Sequence, residues 1–478
     1  MPIMRPISVR GYLVLSIVIL LGAFTLRIGA LSQTSFDIDE VYTMRSVQKA
    51  LYEEGFVDGV RYQDAHMPFY FASLLMFPTP PNDFSIRFPS VLWSMLAIAI
   101  TMRIMTHIYR APWFALFAGL LLSLHVFNIF SARFARMYEM SHAFVAVSSY
   151  LYLRYISNPQ NRISNWYGTN LVTMMAYLTH VVTLVLFIGQ GIIELRNYLE
   201  RKTRISHIII WGILQLVLML PALVWAVNVF FNYKSTEVWD WIHKPTVNSV
   251  LSTLQTLVLG SSTSGTTLVL LPLYIFPFIL LCVFFKHIKH AQYWFGLTLI
   301  PIVLLIVISQ IKSLFVDRYF SVALFAYIII VALTYKELLE FVVLRGERIA
   351  TILVYGLIGT QIVVTILFSA RMYRIDFFAG NFMKQAIAYI NEHGKEGDAV
   401  WYDYGSLPQL IEHYLLTDKF NLIDDPLNAR DNYLEKGNFS YDRMWILDHR
   451  NIWSETDLSN NEPLYDYRGT RVYLMEAE

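Results

Sequence analysis

Residues 12–40 read YLVLSIVILLGAFTLRIGALSQTSFDIDE. Positions 12–26 carry no charge, and at about 1.5 Å per residue a helix over 12–31 is long enough to cross a ~30 Å hydrocarbon layer. The stretch then turns polar and ends on three carboxylates within four positions, Asp37, Asp39 and Glu40. An uncharged run followed at once by an acidic cluster reads as a membrane span whose far end opens into a polar loop. Arg5 and Arg10 precede the run, and no clear small-x-small cleavage site follows it, so it is expected to stay as an uncleaved first helix.

Similar runs recur at 87–108, 112–131, 138–156, 164–180, 181–197, 207–230, 266–286, 292–311, 319–335 and 349–369, which gives about eleven transmembrane helices. The chain of 478 residues is 56% hydrophobic and only 15% charged, with a mean hydropathy of +0.46. A soluble domain carries about a quarter charged residues, so a soluble enzyme is excluded. Lys and Arg number 37 against 36 Asp and Glu, which leaves no basic excess for a nucleic-acid backbone. The one cysteine, Cys282, has no partner for an internal disulfide.

Trp166 to Leu195 is too long for one pass and short for two; charge decides it. With two passes, the clusters Arg5/Arg10, Arg103/Arg110, Arg154/Arg162, Arg196/Arg201/Lys202/Arg204, Lys286/Lys289 and Lys336/Arg345/Arg348 all fall on one side. That side is expected to be the cytoplasm, with the N-terminus there and His180 near an outer turn. Three regions then face outward: 32–86, 231–265 and a tail from about 371.

The expected organisation is a polytopic all-α membrane domain over residues 1–370, with an interfacial first outer loop at 32–86, and a small extracytoplasmic α/β domain over 371–478. In the loop, Val41, Met44, Val47 and Leu51 keep near-helical spacing, which predicts an amphipathic helix lying in the interface. A short helix is expected from Pro68 to Phe77. In the tail, β-type runs at Ala399 to Tyr402, Met444 to Leu447 and Val472 to Met475 alternate with helical runs at Phe382 to Glu392 and Leu407 to Leu416. No internal repeat is visible, which disfavours a transporter built on inverted symmetry.

Candidate chemistry gathers at the outward ends. Asp37, Asp39 and Glu40 offer hard oxygen ligands for a divalent cation, or a general base. The same residues also spell an acidic capping box, with Asp37 at the N-cap and Glu40 at N3. His66, in Asp64-Ala65-His66-Met67-Pro68-Phe69-Tyr70, is either a ligand or an exposed residue ahead of a proline-started helix. Arg133 and Arg136, followed by Tyr138 at the outer end of the third span, are three apart on a helix and so are expected to share a face, where two guanidinium groups suit a phosphate. Interfacial snorkelling is the competing reading. His180 and the late group Lys312, Asp317, Arg318 and Tyr319 complete the set; Arg318 beside Asp317 also reads as a plain ion pair.

Asp39-Glu40 after the first span, His66-x-Pro68 with Tyr70, Arg133-x-x-Arg136-x-Tyr138 and Arg318-Tyr319 together resemble the GT-C glycosyltransferases. The branch they are most similar to is the bacterial group related to protein O-mannosyltransferases and the lipid A aminoarabinose transferase. The resemblance runs over about residues 10 to 370, with the tail matching in position. It implies a polyprenyl-phosphate-linked sugar as donor, transferred with inversion on the periplasmic side of the cytoplasmic membrane to an acceptor hydroxyl on a glycan, lipid or protein. Asp39 would be the general base beside Glu40. Arg133, Arg136, Tyr138, Lys312, Arg318 and Tyr319 would hold the donor phosphate. His66, Tyr70 and His180 would contact substrate, and Asp37, Asp39 and His66 would be the ligands of any divalent metal, with no other cofactor implied. Met67 stands where relatives often have a second proline. The alternatives are a lipid-linked-sugar flippase, which calls for polar residues at mid-depth where these spans have almost none, and a non-catalytic assembly subunit of a glycan pathway. The region 231–265, with Trp239, Trp241 and the small-residue stretch from Gly260 to Thr267, reads as either a cover over the donor or an ordinary loop.

Overall fold

The computed structural model describes residues 7–52, 55–56, 60, 67–77, 82–157, 162–232, 244–260, 276–277, 279–311, 315–372, 383–402, 408–423, 443–448, 463–467 and 470–476. The chain divides into two compact units, one of Met1–Gly29 and Ser46–Arg371, the other of Ala30–Arg45 and Met372–Glu478. The second unit therefore takes in a piece of the first loop as well as the tail.

The first unit is helical. Its elements in order are α1 (Val9–Ile28), the end of α2 (Ile38–Tyr52), α3 (Pro68–Leu74), α4 (Asp83–His107), α5 (Pro112–Leu124), α6 (Val126–Ala132), α7 (Tyr138–Ser157), α8 (Arg162–Tyr177), α9 (Val185–Leu199), α10 (Ile205–Asn232), α11 (Val247–Leu259), α12 (Ala291–Ile308), α13 (Ser321–Leu344) and α14 (Arg348–Met372). Among the described residues seven helices are long and apolar enough to cross a membrane, or eight if the bent pair α5 and α6 is one span. Helices lie over ten of the eleven expected segments; most of 266–286 falls outside the described residues. α7, with Glu139 and Arg154, is more polar than the others, and α8 is short, which is why these two segments drop out of the count by length and composition.

α13 forms the centre: 83% of its most apolar window is buried, against 17% for α1 and α10 and 22% for α14. In an apolar solvent, exposed Leu, Ile and Val on α1, α10 and α14 are the lipid-facing surface. α7 packs between α4 and α8, while α13 packs on α5, α7 and α12. The α5–α6 span bends by 62° at His125, whose backbone is extended (φ −67°, ψ 120°). The bend is held from outside. His125 Nε2 lies 3.0 Å from the Leu257 carbonyl, and Gly260, which caps α11 at φ +84°, sits against Val126.

The second unit is built on a five-stranded mixed sheet of order β2-β1-β3-β5-β4, from β1 (Ala399–Tyr402), β2 (Asn421–Leu422), β3 (Arg443–Asp448), β4 (Tyr465–Tyr467) and β5 (Thr470–Glu476). β1 runs parallel to β2 and β3, and β5 antiparallel to β3 and β4. Alternation places Ala399, Trp401, Met444, Ile446, Tyr473 and Met475 in one buried cluster with Ile423. On the tail's helix α15 (Met383–His393), Met383, Ala386, Ile387 and Ile390 follow i, i+3, i+4, i+7 and are buried, and Tyr389 meets Trp445 edge-on at 6.3 Å. α16 (Pro408–Tyr414) lies between β1 and β2 in sequence. The three strands and two helices expected in the tail are all present, within a few residues of their expected ends.

A Cβ at Gly260 would lie 2.6 Å from Val126 Cβ, in a left-handed conformation that disfavours L side chains. Gly260→Ala is therefore expected to destabilise the protein by about 1–3 kcal/mol. Gly356→Ala, inside α14 with nothing within 4 Å, should leave stability unchanged or slightly raised. Thermal unfolding midpoints in detergent check both, and equal midpoints for the two variants would contradict the account of the bend.

Candidate functional site

The acidic motif folds as a helix start. Asp37 Oδ1 accepts the Asp39 backbone N–H at 3.1 Å, so the N-cap side chain serves the N2 donor, and Glu40 Oε2 reaches back to accept the Asp37 N–H at 3.0 Å. Glu40 is buried, with Oε2 turned back on the cap. Asp39, in the first turn, is half-buried, and its carbonyl accepts the Thr43 hydroxyl at 3.1 Å. A carboxylate in the first turn also complements the helix dipole.

This turn is tied down by residues some 350 to 380 positions later, all in the second unit. The Phe36 N–H donates to Tyr414 Oη at 3.0 Å, and the Phe36 ring lies against His413 at 5.1 Å. The Lys384 N–H donates to Ser35 Oγ at 2.8 Å, Gln385 Nε2 to the Gln33 carbonyl at 2.6 Å, and Arg45 pairs with Glu412. α15 and α16 thus grip the chain on both sides of Asp37–Glu40. No local pattern in the sequence announces this.

In the first unit, the arginines do not share a helix face. α6 ends at Ala132, where the Arg133 N–H bonds back to the Ile129 and Phe130 carbonyls, and residues 133–137 form a non-helical turn before α7. The helical spacing expected for Arg133 and Arg136 fails because the bent span stops one residue before the first of them. Arg133 Nη1 donates to the carbonyls of Arg27 and Gly29, capping the C-terminal end of α1, where a cation is favoured. Arg136 is buried, and its carbonyl accepts the Ser90 hydroxyl at 3.3 Å.

Tyr70, expected to meet substrate, is fully buried. Its Oη lies 3.1 Å from Ser90 Oγ, and the Ser90 hydroxyl bonds the Arg136 carbonyl of the arginine turn. His180 caps the turn Val181–Leu184 by accepting the Val182 N–H at Nδ1, and its ring sits between Tyr138 at 5.8 Å and Tyr319 at 5.1 Å. The structure therefore joins Tyr138, His180 and Tyr319 from three separate segments. Arg318 is half-buried in the turn Asp317–Phe320. His66 and Lys312 lie outside the described residues, as does the Asp317 side chain. Of the region 231–265, Val247–Leu259 is the helix α11; its tryptophans lie outside the described residues. Among the described residues no three His, Cys, Asp or Glu side chains gather as a metal site.

Beneath the arginine turn lies a polar network that the sequence reading missed. Arg27, buried in the last turn of α1, donates to Ser94 Oγ at 2.9 Å, to the Ala23 and Ser123 carbonyls at 3.0 Å, and to Asn128 Oδ1 at 2.5 Å. Asn128 Nδ2 in turn donates to both oxygens of buried Glu139 at 2.9 Å, and His142 Nδ1 lies 3.6 Å from Glu139. The amide relays a buried cation to a buried carboxylate across α1, α4, α6 and α7. A lone arginine inside an uncharged run was the available signal, because such a charge rarely enters a bilayer without a partner.

No family model matches the sequence, and no curated protein matches it. Solved structures do. ArnT from Cupriavidus metallidurans in the apo state superposes with a TM-score of 0.58 at 12% identity, over 97% of this chain and 98% of that one. The same protein bound to undecaprenyl phosphate gives 0.56 at 12% identity, over 98% of each chain. The Archaeoglobus fulgidus oligosaccharyltransferase in complex with Zn and sulfate gives 0.54 at 12% identity, over 93% of this chain and 70% of that one. At this identity the likeness is one of fold. The chain is a multi-pass membrane protein with the architecture of the GT-C glycosyltransferases.

Arg27→Met would leave Glu139 buried without its relayed cation, and is expected to cost about 3–5 kcal/mol, seen as a lower unfolding midpoint. Arg27→Lys should not rescue it, because a single ammonium cannot replace a planar fork bonded in several directions. Adding Glu139→Gln to Arg27→Met should recover part of the loss. A stable Arg27→Met protein would show that the network is not structural.

Proposed function

We propose that the protein is an integral membrane glycosyltransferase that moves a sugar from a polyprenyl-phosphate donor to an acceptor hydroxyl. The observation that carries this reading is the fold match over 97% of the chain to ArnT, a protein also solved bound to undecaprenyl phosphate. The arginine turn supports it from within this chain, since two guanidinium-bearing residues are held there by several independent contacts. So does the acidic turn, anchored by α15 and α16.

In the proposed reaction the acceptor oxygen bonds to the anomeric carbon as the bond from that carbon to the phosphate oxygen breaks. The acceptor proton goes to Asp39, and the electron pair leaves with the lipid phosphate. Attack from the face opposite the phosphate inverts the anomeric centre. Arg136 and Arg133, with Arg318 and Lys312, offset the charge that grows on the leaving phosphate. Tyr138, His180 and Tyr319 supply a ring-lined wall for the donor near that phosphate. Catalysis then rests on positioning and a base, because a paired phosphate is a good leaving group. Asp37 and Asp39 are the hard-oxygen donors nearest in character to Mg²⁺ or Mn²⁺ ligands, and no step of this reaction runs through a metal. The reaction is assigned to the outer face of the cytoplasmic membrane, with the N-terminus inside, on the strength of the one-sided Lys and Arg clusters.

Purified protein supplied with a panel of radiolabelled polyprenyl-phosphate sugars and acceptor-containing extract tests the reading. One donor should be turned over. Asp39→Asn should lower turnover by roughly 10²–10⁴-fold while donor still binds. Arg136→Ala should lower it by roughly 10²–10³-fold. Binding without turnover for any donor, with both variants behaving as wild type, would instead favour a flippase or a non-catalytic subunit.

A further inference from the structure

A second charged site lies in the first unit, one helix length from the arginine turn. α7 begins just after that turn and runs 20 residues, about 30 Å, to Ser157. There the ends of α7 and α9 and the segment 285–290 before α12 line an open cavity of about 750 Å³. Four cations line it, Arg196, Lys202, Lys286 and Lys289, against one carboxylate, Glu200. Glu200 already serves two of them, accepting from Arg196 Nε at 2.6 Å and from Lys202 Nζ at 2.5 Å. Lys289 reaches only the Ser157 hydroxyl at 3.2 Å, and Lys286 makes no ion pair among the described residues.

Asn197, His287, His290 and Gln292 add polar groups, and Ile156, Ile192, Ile193, Phe285 and Ile288 add apolar side chains. Cations and hydrocarbon in one lining fit an amphiphile better than a small soluble ion. The backbone is also held in an unusual state at this place: His290 takes φ +59° and Arg201 φ +57°. His290 Nε2 is buried without a hydrogen-bond partner, and burial pushes its pKa down to about 4, with Lys289 and Arg196 adding to the effect. A neutral imidazole at neutral pH can donate to an oxygen, so the cavity offers a donor as well as charge. The segment is braced from below by Tyr109, whose hydroxyl donates to the Lys289 carbonyl and accepts from Trp294 Nε1.

We infer that this cavity binds the phosphate headgroup of an anionic membrane lipid, with Lys286 and Lys289 on the phosphate and the isoleucines against the upper acyl chain. Basic clusters placed only to orient the chain in the membrane would need neither the cavity nor the isoleucines that line it beside the cations. Like-charged residues elsewhere in the chain provide the comparison: Arg345 and Arg348 are exposed at the α13–α14 connection and do not line the cavity.

The test uses the full chain, delipidated in a neutral detergent, with lipid retention counted by native mass spectrometry and thermal midpoints read in parallel. Phosphatidylglycerol should be retained and should raise the midpoint, while phosphatidylcholine, inorganic phosphate and glycerol 3-phosphate should not. Lys286→Gln/Lys289→Gln should weaken phosphatidylglycerol binding at least tenfold, and Arg345→Gln/Arg348→Gln should leave it unchanged. Lys202→Gln, on an exposed turn, gives a second variant and should weaken binding several-fold. Equal binding by wild type and both lysine variants would overturn the proposal. So would an equal loss in the Arg345/Arg348 variant, which would mark a generic charge effect, or a midpoint rise with inorganic phosphate at concentrations matching the lipid. None of these readouts depends on sugar transfer.

Discussion

A guanidinium in hydrocarbon must be paired, and in this protein the pairing of Arg27 organises the helical unit. Through Ser94, the Ser123 carbonyl and Asn128 it ties α1 to α4, to the end of α5 and to α6, and through Asn128 it meets the buried Glu139 at the start of α7. The same end of α1 is capped by Arg133. Two arginines therefore hold one helix terminus, one from inside the helix and one from the turn that follows α6. Without a hydrophobic force to bring helices together in lipid, such hydrogen bonds and close packing set the arrangement. The turn at 133–137 follows from it: α6 cannot continue past Ala132 while Arg133 folds back on α1.

The fold was largely legible in the sequence, because membrane spans and an alternating α/β tail are local patterns. Spacing placed α12, α14 and three strands of the tail within a few residues, and α13 at its start, though α13 runs nine residues past its expected end. What spacing misjudged was the third span. An uninterrupted apolar run from 112 to 131 carries no proline or glycine at His125, and the 62° bend there is set by contacts from α11 and Gly260, which lie far along the chain. The loss of a shared arginine face is a direct consequence.

The site was legible as chemistry and not as geometry. Asp37, Asp39 and Glu40 stood out as a cluster, and Asp37 and Glu40 bond within the helix start, while the grip of α15 and α16 on Phe36, Ser35 and Gln33 joins residues some 350 to 380 positions apart. Tyr70 stood out beside Pro68, and its contact with Ser90, which bonds the Arg136 carbonyl, comes from the fold alone. Arg27 was passed over because it sits inside a span rather than in a motif. In lipid, that position is itself the signal. The second unit carries a carboxylate at a braced helix start, and the first carries cations on a braced turn.

On the proposed function, the arginine turn holds a lipid phosphate. Cryo-electron microscopy of the purified protein with a saturating polyprenyl phosphate tests it most directly. The account predicts phosphate density within about 2.7–3.1 Å of the Arg136 or Arg133 guanidinium, with the prenyl chain leaving toward lipid. Phosphate density away from both arginines, for example only at Lys286 and Lys289, would contradict it.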